Sequence, residues 1–316
     1  MRGRWPRARD YTVAEMQFGA ALPFVQQMPG APDWETSDDP RALLAVAKRA
    51  DELGYAWAPC SDHVIVPKRA LASMGATWYE PATTLAFVAA ATQRLRLLSH
   101  VVILPYHSPF DIAKQYATLD RLSGGRVILG VGVGHLRAEF AALGAPYEAR
   151  GAATDEYIRI IATLWEQEEA SFQGKFHQFE EVRLAPRPAQ QPRPPIWVGG
   201  NSRRAARRAA ELGDGWVPFQ VTPDEVRDRL DYVRRLAARD TPLEVVVPAA
   251  PVEITALAVD GARARFSGSR EQVIDDIGEY RDAGVTGMTV GFRARSLEEQ
   301  LEKLERFARE IAPAFG

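Results

Sequence analysis

Cysteine is almost absent from this chain of 316 residues, in which Cys60 is the only one. A single thiol excludes an internal disulfide framework, and it also excludes a metal cluster held by several thiolates. A chain without disulfides suits a reducing compartment. We therefore expect a cytoplasmic protein.

Long apolar runs and an excess of charge are also lacking. No apolar run approaches the roughly 20 residues that a transmembrane helix needs. The 39 basic and 41 acidic residues leave a net charge of −2, which gives no electrostatic argument for nucleic acid or an anionic membrane as a partner. The five histidines show neither H-x-H nor H-E-x-x-H spacing, so we predict no metal site.

The first fifteen residues, MRGRWPRARDYTVAE, carry four arginines but no apolar segment, so they do not resemble a secretory signal. Two explanations stay open for residues 1–15. Translation begins at Met16 and the extension is a start-site artefact, or the extension is a disordered or partner-binding arm. We expect residues 16–316 to form one domain.

Short apolar runs alternate with helical patterns along the rest of the chain. The predicted strands are 16–24, 55–59, 95–104, 126–134, 195–200, 214–219 and 285–292, with a further strand inside the stretch 243–257, which Pro248 and Pro251 break. The predicted helices are 40–53, 81–92, 109–122, 153–169, 202–212, 223–238, 269–283 and 297–311. About eight strand–helix units predict an α/β fold of the (β/α)8 TIM-barrel type. A doubly wound sheet has the same alternation and stays as the alternative.

Residues 173–195 interrupt the alternation. Five prolines follow position 185 in this stretch, which favours a hairpin followed by an extended loop over a domain boundary.

Asp62 and His63 directly follow the predicted strand 55–59. The loops after barrel strands form the active-site mouth, so we expect this pair there. Imidazole titrates near neutral pH and suits acid–base chemistry, and a neighbouring carboxylate can hold its tautomer. The alternative is a capped turn with a half-exposed histidine. Glu80, just before helix 81–92, is a further candidate that either stabilises the helix N-terminus or lines the cavity.

Gly130, Gly132 and Gly134 have G-x-G-x-G spacing, which does not match the dinucleotide-binding fingerprint. Two interpretations stay open. Glycine lets neighbouring barrel elements approach closely, or bare backbone at the strand end packs against a flat ring.

A second glycine segment, IWVGGNSRRAARRAAELGDGW, places Gly199 and Gly200 between a strand and a helix. Asn201 or Ser202 can cap that helix. Backbone N–H groups at a helix N-terminus suit a phosphate, although a simple capped turn has the same pattern. The arginines that follow are either a solvated helix face or contacts for an anionic cofactor tail.

Four segments carry a family resemblance, and it extends from about Met16 to the C-terminus. They are SDHVIVP, YEPATTLAFVAAATQRLRL, VVILPYHSPFDIAKQYATLDRLSGGRVILGVGVG and PPIWVGGNSRRAARRAAELGDGWVP. In this order and spacing the chain resembles the bacterial luciferase-like superfamily. Within it, the chain is most similar to the deazaflavin (coenzyme F420)-dependent oxidoreductases.

The resemblance implies a TIM barrel with a flavin-like ring across its mouth. It implies that Asp62 touches the ring and that His63 is the acid/base or the partner of the reacting group. It also implies a bulge with a non-proline cis peptide at residues 99–101 and leaves open which bond is cis. The cofactor contacts it implies are Ser99, His100, Val101, Gly132, Gly134, His135, Gly199, Gly200, Asn201, Ser202, Pro218 and Phe219.

The function that the resemblance implies is hydride transfer between coenzyme F420 and an unidentified small organic substrate. An FMN-dependent monooxygenase that works with a separate reductase is the close alternative. A non-catalytic flavin-binding protein is the distant one. By analogy with the family, we expect a homodimer.

Overall fold

Eight parallel strands surround the centre of the molecule. The computed structural model describes residues 15–36, 39–236, 242–249, 251–259 and 261–316, so most of the predicted extension 1–15 lies outside the described residues. The barrel strands are β1 (Gln17–Ala20), β2 (Trp57–Cys60), β3 (Arg96–Ser99), β4 (Val127–Gly132), β5 (Ile196–Gly199), β6 (Gly215–Val217), β7 (Glu244–Ala249) and β8 (Gly287–Val290).

The strands pair in the order β1-β8-β7-β6-β5-β4-β3-β2, and every pairing is parallel. The ends of this row also meet, because the N–H of Ala56 donates to the carbonyl of Phe18 over 2.7 Å. The sheet is therefore a nearly closed barrel. The predicted TIM barrel is confirmed, and the doubly wound alternative is wrong.

One helix packs outside the barrel after each strand. These helices are α1 (Pro40–Leu53), α2 (Pro81–Ala91), α3 (Pro109–Ser123), α4 (Arg150–Glu166), α5 (Arg203–Leu212), α6 (Pro223–Leu236), α7 (Arg270–Asp282) and α8 (Leu297–Glu310). Proline opens α1, α2, α3 and α6, where its missing N–H costs no hydrogen bond. No helix in the described ranges is long and apolar enough to cross a membrane.

Shorter elements lie between these units. They are the helices Asp33–Thr36, Leu71–Met74 and Arg137–Leu143 and the 3₁₀ turns Lys68–Ala70, Leu104–Tyr106 and Ala312–Phe315. One predicted strand is interrupted in the structure. The strand predicted over 95–104 is interrupted at residues 100–101 and resumes at Val102–Ile103, which pairs with β4. The stretch 243–257 contains a strand as predicted, β7, which ends at Ala249, and Glu253–Ile254 pairs separately with Ser267–Gly268.

The hairpin predicted within 173–195 is present in the structure, but its first strand begins earlier, at Ala170. Its antiparallel strands are Ala170–Gln173 and Gln178–Val182. The Glu156 carboxylate on α4 accepts the N–H groups of three hairpin residues, Lys175, Phe176 and His177. The hairpin is thereby attached to the barrel through one buried acid.

Tryptophan fills the inside of the barrel. The rings of Trp57 and Trp197 meet edge to face with centroids 5.5 Å apart, and the Trp57 indole N–H donates to Thr289 Oγ1 over 2.8 Å. The same inner cluster includes Leu98, Ile128, Val217 and Val246. The barrel is therefore a packed core, and a site can form only at its ends.

Candidate active site

His63 stands at the carboxyl end of β2 beside a buried acid. Its Nδ1 lies 2.8 Å from Oε2 of Glu139, and the Glu139 side chain is 0% exposed. The second oxygen, Oε1, accepts the backbone N–H groups of Val64 and Ile65 over 2.9 and 3.2 Å. One carboxylate therefore holds both the imidazole and the backbone that follows it.

Glu139 lies on the short helix Arg137–Leu143 after β4. Burial alone raises its pKa, but the His63 hydrogen bond and charge, the Ile65 N–H and the Tyr106 hydroxyl outweigh burial and lower the pKa below its ordinary value. Glu139 is therefore a carboxylate at neutral pH. The sequence does not single out this residue.

Two further rings surround the imidazole of His63. The Trp78 ring lies edge to face with its centroid 4.5 Å away, and the His135 ring lies 6.1 Å away. The Trp78 indole N–H is buried and has no hydrogen-bond partner among the described residues. Burial, and then the nearby His63 ring when it is protonated, lowers the pKa of His135. His135 is therefore a neutral ring at physiological pH.

Asp62 is next to His63 in sequence but holds a different part of the structure. Its Oδ2 accepts the N–H of Ile103 over 2.9 Å and lies 2.8 Å from Nε2 of His107. The carboxylate is buried and ties β2 to the segment after β3. The structure thus shows Asp62 as an anchor of the bulge region.

The Asp62–His107 pair is expected to make the free energy of unfolding depend on pH. Burial lowers the pKa of His107, but the hydrogen bond and charge of Asp62 outweigh it and raise the pKa. A raised folded pKa contributes stability that is complete below the unfolded value of about 6.5 and is lost as pH rises through the folded pKa. We expect the difference in unfolding free energy between wild type and His107→Gln to be larger at about pH 5.5 than at about pH 9. Urea unfolding at both pH values measures it, and a difference that does not change with pH would contradict the assignment.

The bulge after β3 contains one non-proline cis peptide, between His100 and Val101. The sequence leaves the position of this bond open. The bulge is tied to the end of β2, because the His100 N–H donates to the Cys60 carbonyl over 2.7 Å and Ser61 Oγ donates to the His100 carbonyl over 3.0 Å. Burial lowers the pKa of His100 to about 4, so this imidazole is neutral.

The glycines of β4 make room for this bulge. A Cβ at Gly130 would lie 1.9 Å from the Ser99 carbonyl oxygen, and one at Gly132 would lie 2.6 Å from Val101 Cγ2. Ser99 is fully buried, and its Oγ both donates to the Gly130 carbonyl and accepts the Gly130 N–H. The close-approach interpretation therefore accounts for these glycines.

The predicted phosphate segments after β5 and β6 come together. Asn201 exchanges two hydrogen bonds with the backbone of Phe219, at 2.5 and 2.8 Å. Gly200 has a φ of +118°, a conformation that favours glycine. Ser202 caps α5 by accepting the Ala205 N–H. Pro218 is buried beside this junction, and the Phe219 ring is exposed.

Helix α5 carries four arginines, three of which have acidic partners. The pairs are Arg203–Asp228, Arg207–Glu211 and Arg208–Asp155. Arg204, in the first helical turn, is exposed and has no ion pair among the residues described. It is therefore a cation available to a ligand at this helix N-terminus.

Glu80 acts as the N-cap of α2. Its two oxygens accept the N–H groups of Ala82 and Thr83 over 2.9 and 2.6 Å. The helix-stabilising interpretation matches these contacts. Both carboxylate oxygens are therefore occupied by the helix, and the catalytic role of Glu80 stays a prediction from sequence.

A cavity of about 1030 Å³ lies at the opposite, amino-terminal end of the barrel. Its lining includes Met16, Tyr55, Arg94 and Arg193. None of the predicted site residues lines it, and barrel chemistry sits at the carboxyl ends of the strands. The cluster around His63 is therefore the better candidate site.

Comparison with known proteins agrees with the fold and gives the family. The sequence model described as luciferase-like monooxygenase matches residues 16–256. An uncharacterized protein of Mycobacterium tuberculosis is 29% identical over 297 residues, which covers 88% of this chain and 96% of the relative. An FMNH2-dependent dimethylsulfone monooxygenase of Pseudomonas putida is 30% identical over 232 residues, covering 72% of this chain and 60% of the relative.

One similar solved structure is the coenzyme F420-dependent tetrahydromethanopterin reductase of Methanopyrus kandleri. It superposes with a TM-score of 0.75 at 18% sequence identity, and the match covers 96% of this chain and 100% of that chain. This likeness supports the barrel fold. Since the family match covers most of the chain, the protein belongs to the luciferase-like monooxygenase family of oxidoreductases.

Proposed function

We propose that this protein is a coenzyme F420-dependent oxidoreductase that transfers a hydride between the deazaflavin and a small organic substrate. The observation that carries the proposal is the His63–Glu139 pair at the carboxyl end of β2. Glu139 occupies Nδ1 of the imidazole, and Nε2 has no hydrogen-bond partner among the described residues. One nitrogen is thus available to a reacting group.

The residues of the site fit an anionic, nucleotide-like cofactor. At the start of α5, the N–H groups of Arg203 and Arg204 have no protein acceptor in the described part of the chain. The N-terminal end of a helix dipole favours a phosphate, and the unpaired Arg204 side chain adds a positive charge. This end of the site would hold the cofactor phosphate, with the Phe219 ring beside it. The ring of the cofactor would lie toward His100, Val101 and His135.

When bound, coenzyme F420 supplies a two-electron hydride donor or acceptor. The protein must then handle the proton of the reacting group. His63 Nε2 takes that proton when a hydroxyl substrate is oxidised to a carbonyl, and it returns the proton in the opposite direction. A positioned imidazole suits this work because its ordinary pKa is close to neutral pH.

An FMN-dependent monooxygenase is the second candidate. A specific observation favours it, because the 30% identical relative of Pseudomonas putida is named as FMNH2-dependent. The same helix N-terminus would hold the FMN phosphate, and a separate flavin reductase would be the partner. The His63–Glu139 pair is compatible with either cofactor, so binding decides between them.

Titration of the purified protein with coenzyme F420 and with FMN, followed by fluorescence quenching, tests the proposal. We expect saturable, micromolar binding of F420 and much weaker binding of FMN. Micromolar FMN binding with none for F420 would overturn the cofactor assignment and favour the monooxygenase. Binding of F420 without hydride transfer to any of a panel of alcohols, ketones and activated alkenes would favour the non-catalytic alternative.

Reversal of one charge tests the phosphate end of the site. We expect Arg204→Glu to weaken cofactor binding about tenfold, because it replaces an unpaired cation near the helix N-terminus by an anion. Arg207→Glu is the matched control, since it makes the same charge change one turn further along α5. Its affinity should stay within about twofold of wild type, because Arg207 already pairs with Glu211 and sits beyond the first turn. Equal losses in the two variants would show a non-specific charge effect and contradict the site.

We also propose a homodimer with one small-molecule site in each subunit. Helix α2 (PATTLAFVAAA) contains no charged residue and leaves Phe87 45% exposed. An exposed apolar helix face of this kind favours association with another protein surface. Sedimentation velocity at micromolar concentration measures the oligomeric state, and a monomer would contradict the proposal.

A further inference from the structure

We propose that Glu139 is a positioning residue that fixes the tautomer of His63, with the proton on Nδ1 and the lone pair on Nε2. The effect of this tautomer on catalysis rests on the proposed function, whereas the tautomer itself does not. Glu139 touches neither substrate nor cofactor in this scheme and acts through His63.

The hydrogen bonds around Glu139 determine the direction of the His63 contact. Oε1 accepts from Val64 and Ile65, and Oε2 accepts from the Tyr106 hydroxyl over 3.1 Å. A carboxylate has no proton to donate. The remaining contact, at 2.8 Å to His63 Nδ1, therefore requires the imidazole to be the donor. In the neutral ring, the lone pair is then on Nε2.

The packing around Glu139 restricts the orientation of its carboxylate. Its side chain is 0% exposed, and that of His63 is 7% exposed. The neighbouring Phe140 is fully buried and contacts the Tyr106 ring, with centroids 4.6 Å apart. Movement of the carboxylate out of this position would leave the Val64 and Ile65 N–H groups without this acceptor.

Glutamine at this position has a predictable consequence. Its single amide oxygen can accept the Val64 and Ile65 N–H groups if it takes the place of Oε1, or the His63 imidazole N–H and the Tyr106 hydroxyl if it takes the place of Oε2. We expect the oxygen to remain with Val64 and Ile65, because a backbone N–H can only donate, whereas the imidazole nitrogen and the Tyr106 hydroxyl can also accept from the amide NH2. The amide NH2 then points at His63 Nδ1 and forces this nitrogen to accept. The proton moves to Nε2, and the lone pair is lost from the free side of the ring.

The first experiment is ¹⁵N NMR of histidine-labelled protein without cofactor, at a pH above the titration of ordinary histidines. The ¹⁵N shifts distinguish a protonated from an unprotonated ring nitrogen, and loss of a signal in His63→Ala identifies His63. We expect Nδ1 to carry the proton in wild type and Nε2 to carry it in Glu139→Gln. A wild-type spectrum with the proton on Nε2 would overturn the inference, even if the variant failed to fold.

The second experiment is steady-state kinetics with bound cofactor. We expect Glu139→Gln to lower kcat by about 100-fold or more with KM within about threefold, since a base that presents an N–H cannot take a proton. Glu139→Asp keeps the carboxylate and should recover part of this loss. An inverted tautomer with unchanged kcat would overturn the role of Glu139 in catalysis. An inverted tautomer in a protein that transfers no hydride at all would instead refute the proposed function and leave the tautomer assignment intact.

Glu156→Gln is the matched control. Glu156 is another buried acid whose oxygens accept backbone N–H groups, but it holds the hairpin after α4. Its replacement should leave the His63 tautomer unchanged and kcat within about twofold, because its hydrogen bonds among the described residues go to the hairpin and not to the His63 cluster. A tautomer change in this variant would show that any weakening of the fold moves His63, and it would contradict a specific role for Glu139.

Discussion

His63→Ala is expected to lower turnover by about 100-fold to 10,000-fold while cofactor affinity stays within about threefold. Under the proposed function, the substitution removes the nitrogen that takes or returns the proton of the reacting group. It leaves the proposed phosphate end of the site unchanged, because the contacts of Asn201 and Ser202 do not involve His63. Turnover is measured with a substrate that wild type accepts from the panel, by following the absorbance of the cofactor. Affinity is measured by fluorescence quenching.

His177→Ala is the control for this loss. His177 also sits in an aromatic environment, beside Phe110 and Tyr157, but it belongs to the hairpin after α4. Its removal should change turnover by less than about threefold, as expected for a residue outside the reacting centre. Full activity in His63→Ala would contradict the acid–base role and favour the alternative, in which Asp62 and His63 belong to a capped turn.

Gly130→Ala is expected to destabilise the protein by at least about 3 kcal/mol, or to prevent folding. The added methyl group would lie 1.9 Å from the Ser99 carbonyl oxygen and 3.1 Å from its carbon. These are backbone atoms of the neighbouring strand, so they cannot rotate away as a side chain can. Separation of the strands would also break the two hydrogen bonds between Ser99 Oγ and the Gly130 backbone. Urea unfolding followed by circular dichroism measures the change.

Gly278→Ala makes the same chemical change where there is space. Gly278 lies within α7, and an added Cβ there meets nothing within 4 Å. Alanine in a helix interior should stabilise the protein by about 0.5–1 kcal/mol relative to glycine. If Gly130→Ala unfolded within about 1 kcal/mol of wild type, the close-approach explanation of the β4 glycines would be wrong.

The barrel could be predicted from sequence because its signal is repeated and local. Buried parallel strands read as continuous apolar runs, and the helices between them have helical spacing. The predicted helix at 40–53 agrees with α1 at both ends. The strand predicted over 95–104 fails at residues 100–101, because a cis peptide leaves no trace in an apolar pattern.

The site could be predicted only in part. His63 stands out because it follows a strand directly. Glu139 does not stand out, because its partner is 76 positions away in the chain and the helix Arg137–Leu143 begins without a side-chain cap. The role of Asp62 was equally hidden, since one of its partners is the backbone N–H of Ile103 and any residue type except proline offers that donor.

The way Glu139 holds the loop after His63 has a consequence for variation within the family. The carboxylate accepts hydrogen bonds from the backbone N–H groups of Val64 and Ile65, while the two residues remain 48% and 46% exposed. The side chains at positions 64 and 65 therefore do not determine where the His63 imidazole lies. A library randomised at positions 64 and 65 is therefore expected to retain the contact between His63 and Glu139.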